Sequence, residues 1–291
     1  MKSISESLHS SISLQKLVVD DFSKLRSLPG VPSVIWHLEI IGCGIHELPN
    51  GLQFCASLQY LEIRSCLDLK SIPESLHSCV FLQKFVVRYC PQLSSLPDVP
   101  SVIWHLEIIG CGIDEPSSGL QFCTSLQYLK IEDCPNLKSI LDSLHTSVSL
   151  QKFVVRYCPQ LSSLQGVPSI IQQFSKSLQY LEIQYCRNLK SIPDLGEVFH
   201  SLINLKISNC PDPRLKLLWE GRLKTLVIGG FIEELDAFPI LRYPSIRYSH
   251  ASLKNLMYLP ILHLSNLKYL YIYDCRNLEK RYAKGSGAEW F

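Results

Sequence analysis

The sequence predicts an α/β solenoid: short coils stack so that their strands form one concave parallel sheet, and each coil returns over the convex side through a short turn or helical segment. Three observations predict it. An apolar pattern of fixed internal spacing recurs along the 291-residue chain. Each recurrence begins with apolar residues at alternate positions, as in a half-buried strand, and ends in an irregular stretch closed by turn residues. The first ten recurrences follow one another at 21 to 28 residues, the length of one turn of a coil.

Leu82 to Pro97, LQKFVVRYCPQLSSLP, shows the unit most clearly. Its apolar positions are Leu82, Phe85, Val87, Leu93 and Leu96, with a cysteine at Cys90 and a closing proline, giving LxxLxLxxCxxLxxLP. This is a leucine-rich repeat, in which the alternating half supplies the strand and the later leucines turn the chain inward again. One coil has too few apolar side chains to offset the entropy of ordering its backbone, so it folds only when stacked on its neighbours. Returns as short as PESLHSC and NGLQFC are narrow on the convex side and bend the stack into a horseshoe with the sheet inside.

In chain order the pattern opens at Leu14, Ile35, Leu58, Leu82, Ile103, Leu126, Leu150, Leu178, Leu202, Leu223 and Leu267, which predicts eleven strands. Spacings of 21, 23 and 24 residues repeat to make a 68-residue super-unit over residues 14–164. Tandem duplication accounts for it: Val99 to Gly112 repeats Val31 to Gly44 letter for letter, and Phe153 to Leu164 repeats Phe85 to Leu96. Between Leu150 and Leu178 the spacing widens to 28 residues, which predicts a convex bulge and an unbroken sheet. In 238–260 the pattern is poor and no strand is assigned. Lys2 to Leu17 aligns with Lys70 to Phe85, so the chain is expected to begin inside a coil and to be a piece of something longer. Residues 1–291 are read as one domain of about eleven or twelve coils.

A net charge of +2 with no long runs of either sign favours neither nucleic acid nor an anionic membrane as partner. The start lacks an apolar signal-peptide core, and no run has the length of a membrane span. Twelve cysteines without a CxxC pair, in a chain with no NxS/T sequon, fit a reducing compartment and place it in the cytosol. Nine of them, Cys43, Cys66, Cys90, Cys111, Cys134, Cys158, Cys186, Cys210 and Cys275, share one motif position. A file with one ligand per coil does not converge on a point as zinc requires, so these cysteines are read as structural, meeting unpaired backbone groups. Cys55, Cys79 and Cys123 precede strands and are read as small buried fillers.

No phosphate-binding loop, nucleophile elbow, zinc-protease helix or dinucleotide fingerprint occurs. His37 recurs as His105, and His9 as His77 and His145, at the super-unit spacing. Residues copied with a structural unit are poor candidates for one asymmetric catalytic constellation, so they are read as coil structure, and Trp36 and Trp104 as core or edge packing. The chain is expected to be no enzyme, with no catalytic residue, metal or cofactor.

The inner face carries the functional expectation. Its partner-binding candidates are Tyr60, Arg64, Arg88, Tyr89, Tyr128, Glu132, Arg156, Tyr157, Tyr180, Tyr185, Tyr269, Tyr271 and Tyr273. Tyrosine and arginine are the residue types enriched at interface hot spots. Ile41, Val86, Ile109 and Val154 are expected to add exposed apolar area, and Arg64 and Arg88 to lie side by side and attract an acidic partner.

The stretch SLQYLEIRSCLDLKSIP, with its ladder cysteine and coil-ending proline, and the spacer GCGIHELPNGLQ resemble the repeat region of plant intracellular nucleotide-binding leucine-rich-repeat (NLR) disease-resistance proteins. The ending DCRNLEKRYAKGSGAEWF is similar to the last coil of that family. The resemblance covers essentially the whole chain. It implies a non-enzymatic recognition domain in plant innate immunity whose partner is a pathogen effector, a guarded host protein or the family's own nucleotide-binding domain. The chain itself has neither that domain nor a signalling domain. The alternative is the substrate-binding repeat domain of a ubiquitin-ligase receptor, whose coils also use cysteine, although no F-box precedes the array. A secreted repeat receptor would carry sequons and an NxLxGxIP pattern, which are absent.

Overall fold

In the computed structural model, residues 13–26, 31–48, 52–114, 120, 122–140, 144, 147–162, 164, 177–189, 201–210, 224–229 and 268–273 are described. Among them lie eleven five-residue strands: β1 Lys16–Asp20, β2 His37–Ile41, β3 Tyr60–Arg64, β4 Lys84–Arg88, β5 His105–Ile109, β6 Tyr128–Glu132, β7 Lys152–Arg156, β8 Tyr180–Gln184, β9 Asn204–Ser208, β10 Thr225–Gly229 and β11 Tyr269–Tyr273. They form one parallel sheet in sequence order, the solenoid the repeat predicts. The expectations for 238–260, both chain ends, Cys275, His9 and His145 lie outside the described residues.

Register follows the motif. The leucine-type positions stack on one another, Leu38 on Leu61 on Phe85 on Leu106, while the residues between them face the other way. The 28-residue spacing leaves no gap, because Lys152 pairs with Tyr180 and the register continues to Gln184. Behind the sheet, each coil from β2 to β9 adds its opening apolar residue, its two strand core positions and its cysteine to one continuous core, against which Leu14, Leu17, Val19 and Leu25 of the first coil pack. Apolar periodicity alone therefore sets which face of every strand is buried.

The returns are short, as their sequences require. Single-turn 3₁₀ segments occupy Leu52–Phe54 and Glu74–Ser78, and Leu76 of the second points into the core. On the far side of the strands a second set of backbone bonds ties coil to coil, as where the N–H of Lys70 donates to His46 O and that of Lys138 to Asp114 O. Gly44 and Gly112 sit where coils touch: a β-carbon there would lie 2.0 Å from Ser23 O and 2.2 Å from Pro91 O. That contact explains the glycine after the ladder cysteine in both GCG copies.

Eight of the nine ladder cysteines fall among the described residues, and all eight are buried. Each thiol donates to the carbonyl two residues earlier, as Cys43 to Ile41 O at 3.2 Å and Cys210 to Ser208 O at 3.3 Å. Several also reach back to the preceding coil, Cys43 to Val19 O at 3.7 Å and Cys66 to Ile40 O at 3.8 Å. The side chain thus fills a core layer and satisfies a strand-end carbonyl. Cys55 and Cys79 are more than fillers, since they donate to Val31 O and Leu52 O and form a second file, in which Ser147 Oγ takes the same role toward Cys123 O.

Candidate recognition surface

The side chains of the concave face stand in three columns, one for each outward strand position, and the residue after each strand forms a fourth along the rim. The first column includes His37, Tyr60, Lys84, His105, Tyr128, Lys152 and Tyr180, in register on successive strands. It stacks in two runs, His37–Tyr60–Lys84 and His105–Tyr128–Lys152–Tyr180. The rings of His37 and Tyr60 lie 4.2 Å apart and nearly parallel, those of His105 and Tyr128 4.3 Å apart, and the Lys152 ammonium sits 5.2 Å from the Tyr128 ring centre and 4.7 Å from that of Tyr180. Each contact of this kind adds about 0.5–1 kcal/mol at an exposed site. His37 and His105 are therefore part of the sheet's inner surface, with their ring nitrogens hydrogen-bonded to Glu39 and Glu107.

The second column is a row of carboxylates and valines interrupted by Lys130 and Lys206. Glu62, Glu107 and Glu182 are buried on the sheet face, and each has hydrogen-bonding or charged partners there. Glu107 meets His105 at 2.9 Å and Arg88 at 2.6 Å, and the histidine first, then the arginine, outweighs burial to bring its carboxyl down to about 2. Burial pushes Glu182 up, but hydrogen bonds from Arg156 and Tyr180 more than reverse this. Burial, then the bonded carboxylate, pushes the Tyr60 and Tyr180 phenols well above their ordinary range.

Arg88 and Arg156 are consequently structural. Arg88 reaches Glu107 at 2.6 Å and Glu62 at 3.7 Å, on the two strands flanking its own. Its duplicate Arg156 reaches Glu182 at 2.8 Å and Glu132 at 3.7 Å. The strand registers place Val86 between Glu62 and Glu107, so the Arg88 side chain crosses above that valine. This corrects the expectation of exposed apolar area: Val86, Val154 and Ile109 are buried, and only Ile41 is half-exposed. Arg64 and Arg88 do stand opposite each other, yet Arg88 is already neutralised within the sheet and calls for no acidic partner. Arg64 is half-exposed and forms no ion pair among the described residues.

The rim column carries a feature that strand periodicity missed. After each strand the backbone turns through the left-handed region, with Gly42 and Gly110 taking that conformation in two coils. Asp21, Ser65, Asp133 and Asn209, small polar residues, serve in four others. Tyr89, Tyr157 and Tyr185 adopt it too, at φ of 53° to 57°. Tyr89 is 50% exposed and Tyr157 43%, and the rings of Tyr157 and Tyr185 stack 4.5 Å apart. The remaining candidates divide. Tyr60, Tyr128 and Tyr180 belong to the stacked column, Glu132 is held by Lys130 at 2.7 Å, and Tyr269 and Tyr271 are exposed on β11. The Tyr273 side chain lies outside the described residues. Trp36 and Trp104 are not core: each is 40% exposed at the strand-entry edge, its ring edge against His37 or His105.

No group of three or more His, Cys, Asp or Glu that could hold a metal ion occurs among the described residues, and none of their helices is long and apolar enough to cross a membrane. Burial pushes the Cys55 and Cys66 thiols up to about 11 and Cys79, Cys90 and Cys123 up to about 12. Thiolate is the reactive form, and these thiols hold little of it near neutrality. Native-state alkylation at neutral pH should leave the eight buried ladder cysteines among the described residues unmodified and denaturation should expose them, read by peptide mass. Stoichiometric zinc, or disulfides within the file, would contradict both the ladder and the reducing compartment.

No family model matches the chain, and no curated protein is similar to it in sequence. Solved structures are similar in fold. The leucine-rich-repeat domain of the type III effector XopL superposes with a TM-score of 0.61 at 21% identity, over 70% of this chain and 71% of that one. A leucine-rich-repeat protein of Leptospira interrogans superposes with a TM-score of 0.52 at 17% identity, over 94% of this chain and 82% of the other. Strand order, register and these likenesses agree that the chain has the leucine-rich-repeat fold.

Proposed function

We propose that residues 1–291 form one non-enzymatic recognition domain that binds a protein partner on the concave face and its rim. The observation that carries this reading is the left-handed tyrosines. A bulky residue in that backbone region costs on the order of 1–3 kcal/mol and persists where the position has a use. Gly at the same position of other coils avoids that cost and Asp and Asn lessen it, so we read Tyr89, Tyr157 and Tyr185 as placed for contact rather than for folding. Large amphipathic rings on a rigid, regular scaffold lose little entropy on binding and are typical anchors.

We place this domain in the cytosol, as the repeat region of a plant NLR protein that senses a pathogen effector directly or through a guarded host protein, or that packs on a nucleotide-binding domain. Support comes from the cysteine ladder, the coil-ending prolines and the GCGIHELPNGLQ spacer, which resemble that family. Nucleic acid and membrane are not its partners in this reading.

The test is affinity capture from pathogen-challenged plant tissue with the protein and two variants, followed by identification of what is retained. An effector, guarded protein or nucleotide-binding domain should be captured by the wild type and lost with Tyr89→Asn/Tyr157→Asn/Tyr185→Asn. The thermal midpoint of that variant should not fall, because Asn accepts the left-handed backbone. Exposed His77, hydrogen-bonded to Glu74 O on the convex side, is the control, and His77→Glu should leave capture intact. Loss of capture in the control with retention in the triple variant would overturn the assignment.

A further inference from the structure

The internal duplication allows the chain to be compared with itself. Strands β2, β3 and β4 (HLEII, YLEIR, KFVVR) recur as β5, β6 and β7 (HLEII, YLKIE, KFVVR), so thirteen of fifteen strand residues are unchanged. Both that differ face the concave side, and both reverse charge: Glu62 and Arg64 on β3 become Lys130 and Glu132 on β6. The adjoining left-handed rim residue changes from Ser65 to Asp133, with φ of 55° and 56°. No core-facing strand position differs. Drift constrained by folding alone would spread conservative changes through the strands, whereas here the strand changes are confined to outward positions of one strand and reverse the charge at each.

From this we infer that the concave face holds two half-sites of opposite preference, built on one scaffold three strands apart, and that its partner presents an acidic and a basic group at a matching separation. The inference rests on the recognition reading above and names the chemistry of the partner. The first half-site is Arg64 with Ser65 and the exposed Tyr89; Arg64 lies between Ile41 and the already paired Arg88 and forms no ion pair among the described residues. It accepts a carboxylate. The second is Asp133 with the Tyr157–Tyr185 stack, beside a Glu132 already paired with Lys130. Asp133 is exposed and forms no ion pair among the described residues, and next to two aromatic rings it suits a guanidinium or ammonium. With strands about 4.8 Å apart, the half-sites lie roughly 14 Å from one another. Charge complementarity of this kind sets orientation and partner choice more than raw affinity.

The duplication also supplies variants that fold. Glu62→Lys/Arg64→Glu/Ser65→Asp turns β3 into the β6 sequence between neighbours identical in strand sequence to those β6 already has, and Lys130→Glu/Glu132→Arg/Asp133→Ser does the reverse. The probes are two fluorescein-labelled peptides of about eight residues, long enough to span roughly 14 Å when extended. One carries two glutamates at one end and two arginines at the other; the second has the same composition with the charges alternating. Fluorescence anisotropy at low salt should show wild type binding the segregated peptide roughly tenfold more tightly. Both homogenised variants should lose that preference. Equal binding of the two peptides by wild type, or a preference that survives in the variants, overturns the two-half-site proposal. If both peptides bind equally and Tyr89→Asn/Tyr157→Asn/Tyr185→Asn loses both, recognition at this face stands without charge polarity. If wild type binds neither peptide, both readings fall.

Discussion

Between pH 9 and pH 11 the protein should lose its fold in a single steep transition. In the folded state burial pushes five thiols, Cys55, Cys66, Cys79, Cys90 and Cys123, up to about 11 or 12, whereas in the unfolded chain a thiol titrates near pH 8.5. A raised folded pKa gives stability that is complete below the unfolded value and declines as pH climbs toward the folded one. By pH 11 each such thiol costs on the order of 2–3 kcal/mol, at about 1.4 kcal/mol per unit. Five together come to roughly 10 kcal/mol or more, which matches the whole stability of a typical domain. Tyr60 and Tyr180, raised for the same reason, act in the same direction. Far-ultraviolet circular dichroism against pH measures the transition. Cys66→Ala/Cys90→Ala should lower stability at pH 7 by leaving cavities in the core, and should also flatten the dependence of stability on pH between 9 and 11. An unchanged slope in that variant would mean that the thiols are not what unfolds the protein in alkali.

The strands and the core were legible because they depend on periodicity. Leu82, Phe85, Val87 and Cys90 recur at fixed offsets, each offset maps to one direction of a side chain, and a parallel stack leaves no freedom in register once those directions are set. The widened spacing before Leu178 does not disturb this, since Lys152 still pairs with Tyr180 in the same register; the expected convex bulge lies outside the described residues. Alternation does not tell how outward side chains lean on one another. Val86 and Ile41 hold outward positions of the same kind, yet Val86 is buried, since arginine two positions along its own strand spans it to meet two glutamates. Only the sheet's curvature and the reach of Arg88 decide that. The rim tyrosines could have been found, by lining up the residue that precedes the ladder cysteine by one. That position holds Gly42, Ser65, Gly110, Asp133 and Asn209 in five coils, a set of glycines and small polar residues at positive φ, and tyrosine stands out in such a file. Trp36 was legible only as core or edge packing, and its position just before a strand decides for the sheet's edge.

Reversing charge at two adjacent arginines should have opposite consequences. Arg88→Glu should lower the thermal midpoint by roughly 10 °C, corresponding to about 3–5 kcal/mol for breaking a buried ion pair. It removes the cation between Glu62 and Glu107 and adds a third carboxylate beside them, while the side chain that covers Val86 is shortened. Arg64→Glu, at the same register on the next strand, should move the midpoint by no more than about 2 °C, since it breaks no ion pair among the described residues and places a carboxylate beside Arg88. A composite variant separates charge from packing. Arg88→Met keeps the apolar cover and, alone, strands two carboxylates; combined with Glu62→Gln and Glu107→Gln it should regain most of the lost stability. The pH dependence gives a second check. Glu107 has its carboxyl held at about 2 by His105 and Arg88, so its contribution is complete above about pH 4.5 and fades as pH falls toward 2. In Arg88→Met that acid-side decline should become shallower. If Arg88→Glu is tolerated while Arg64→Glu unfolds the chain, the bridging role belongs to Arg64, and the carboxylate-binding half-site loses its free cation.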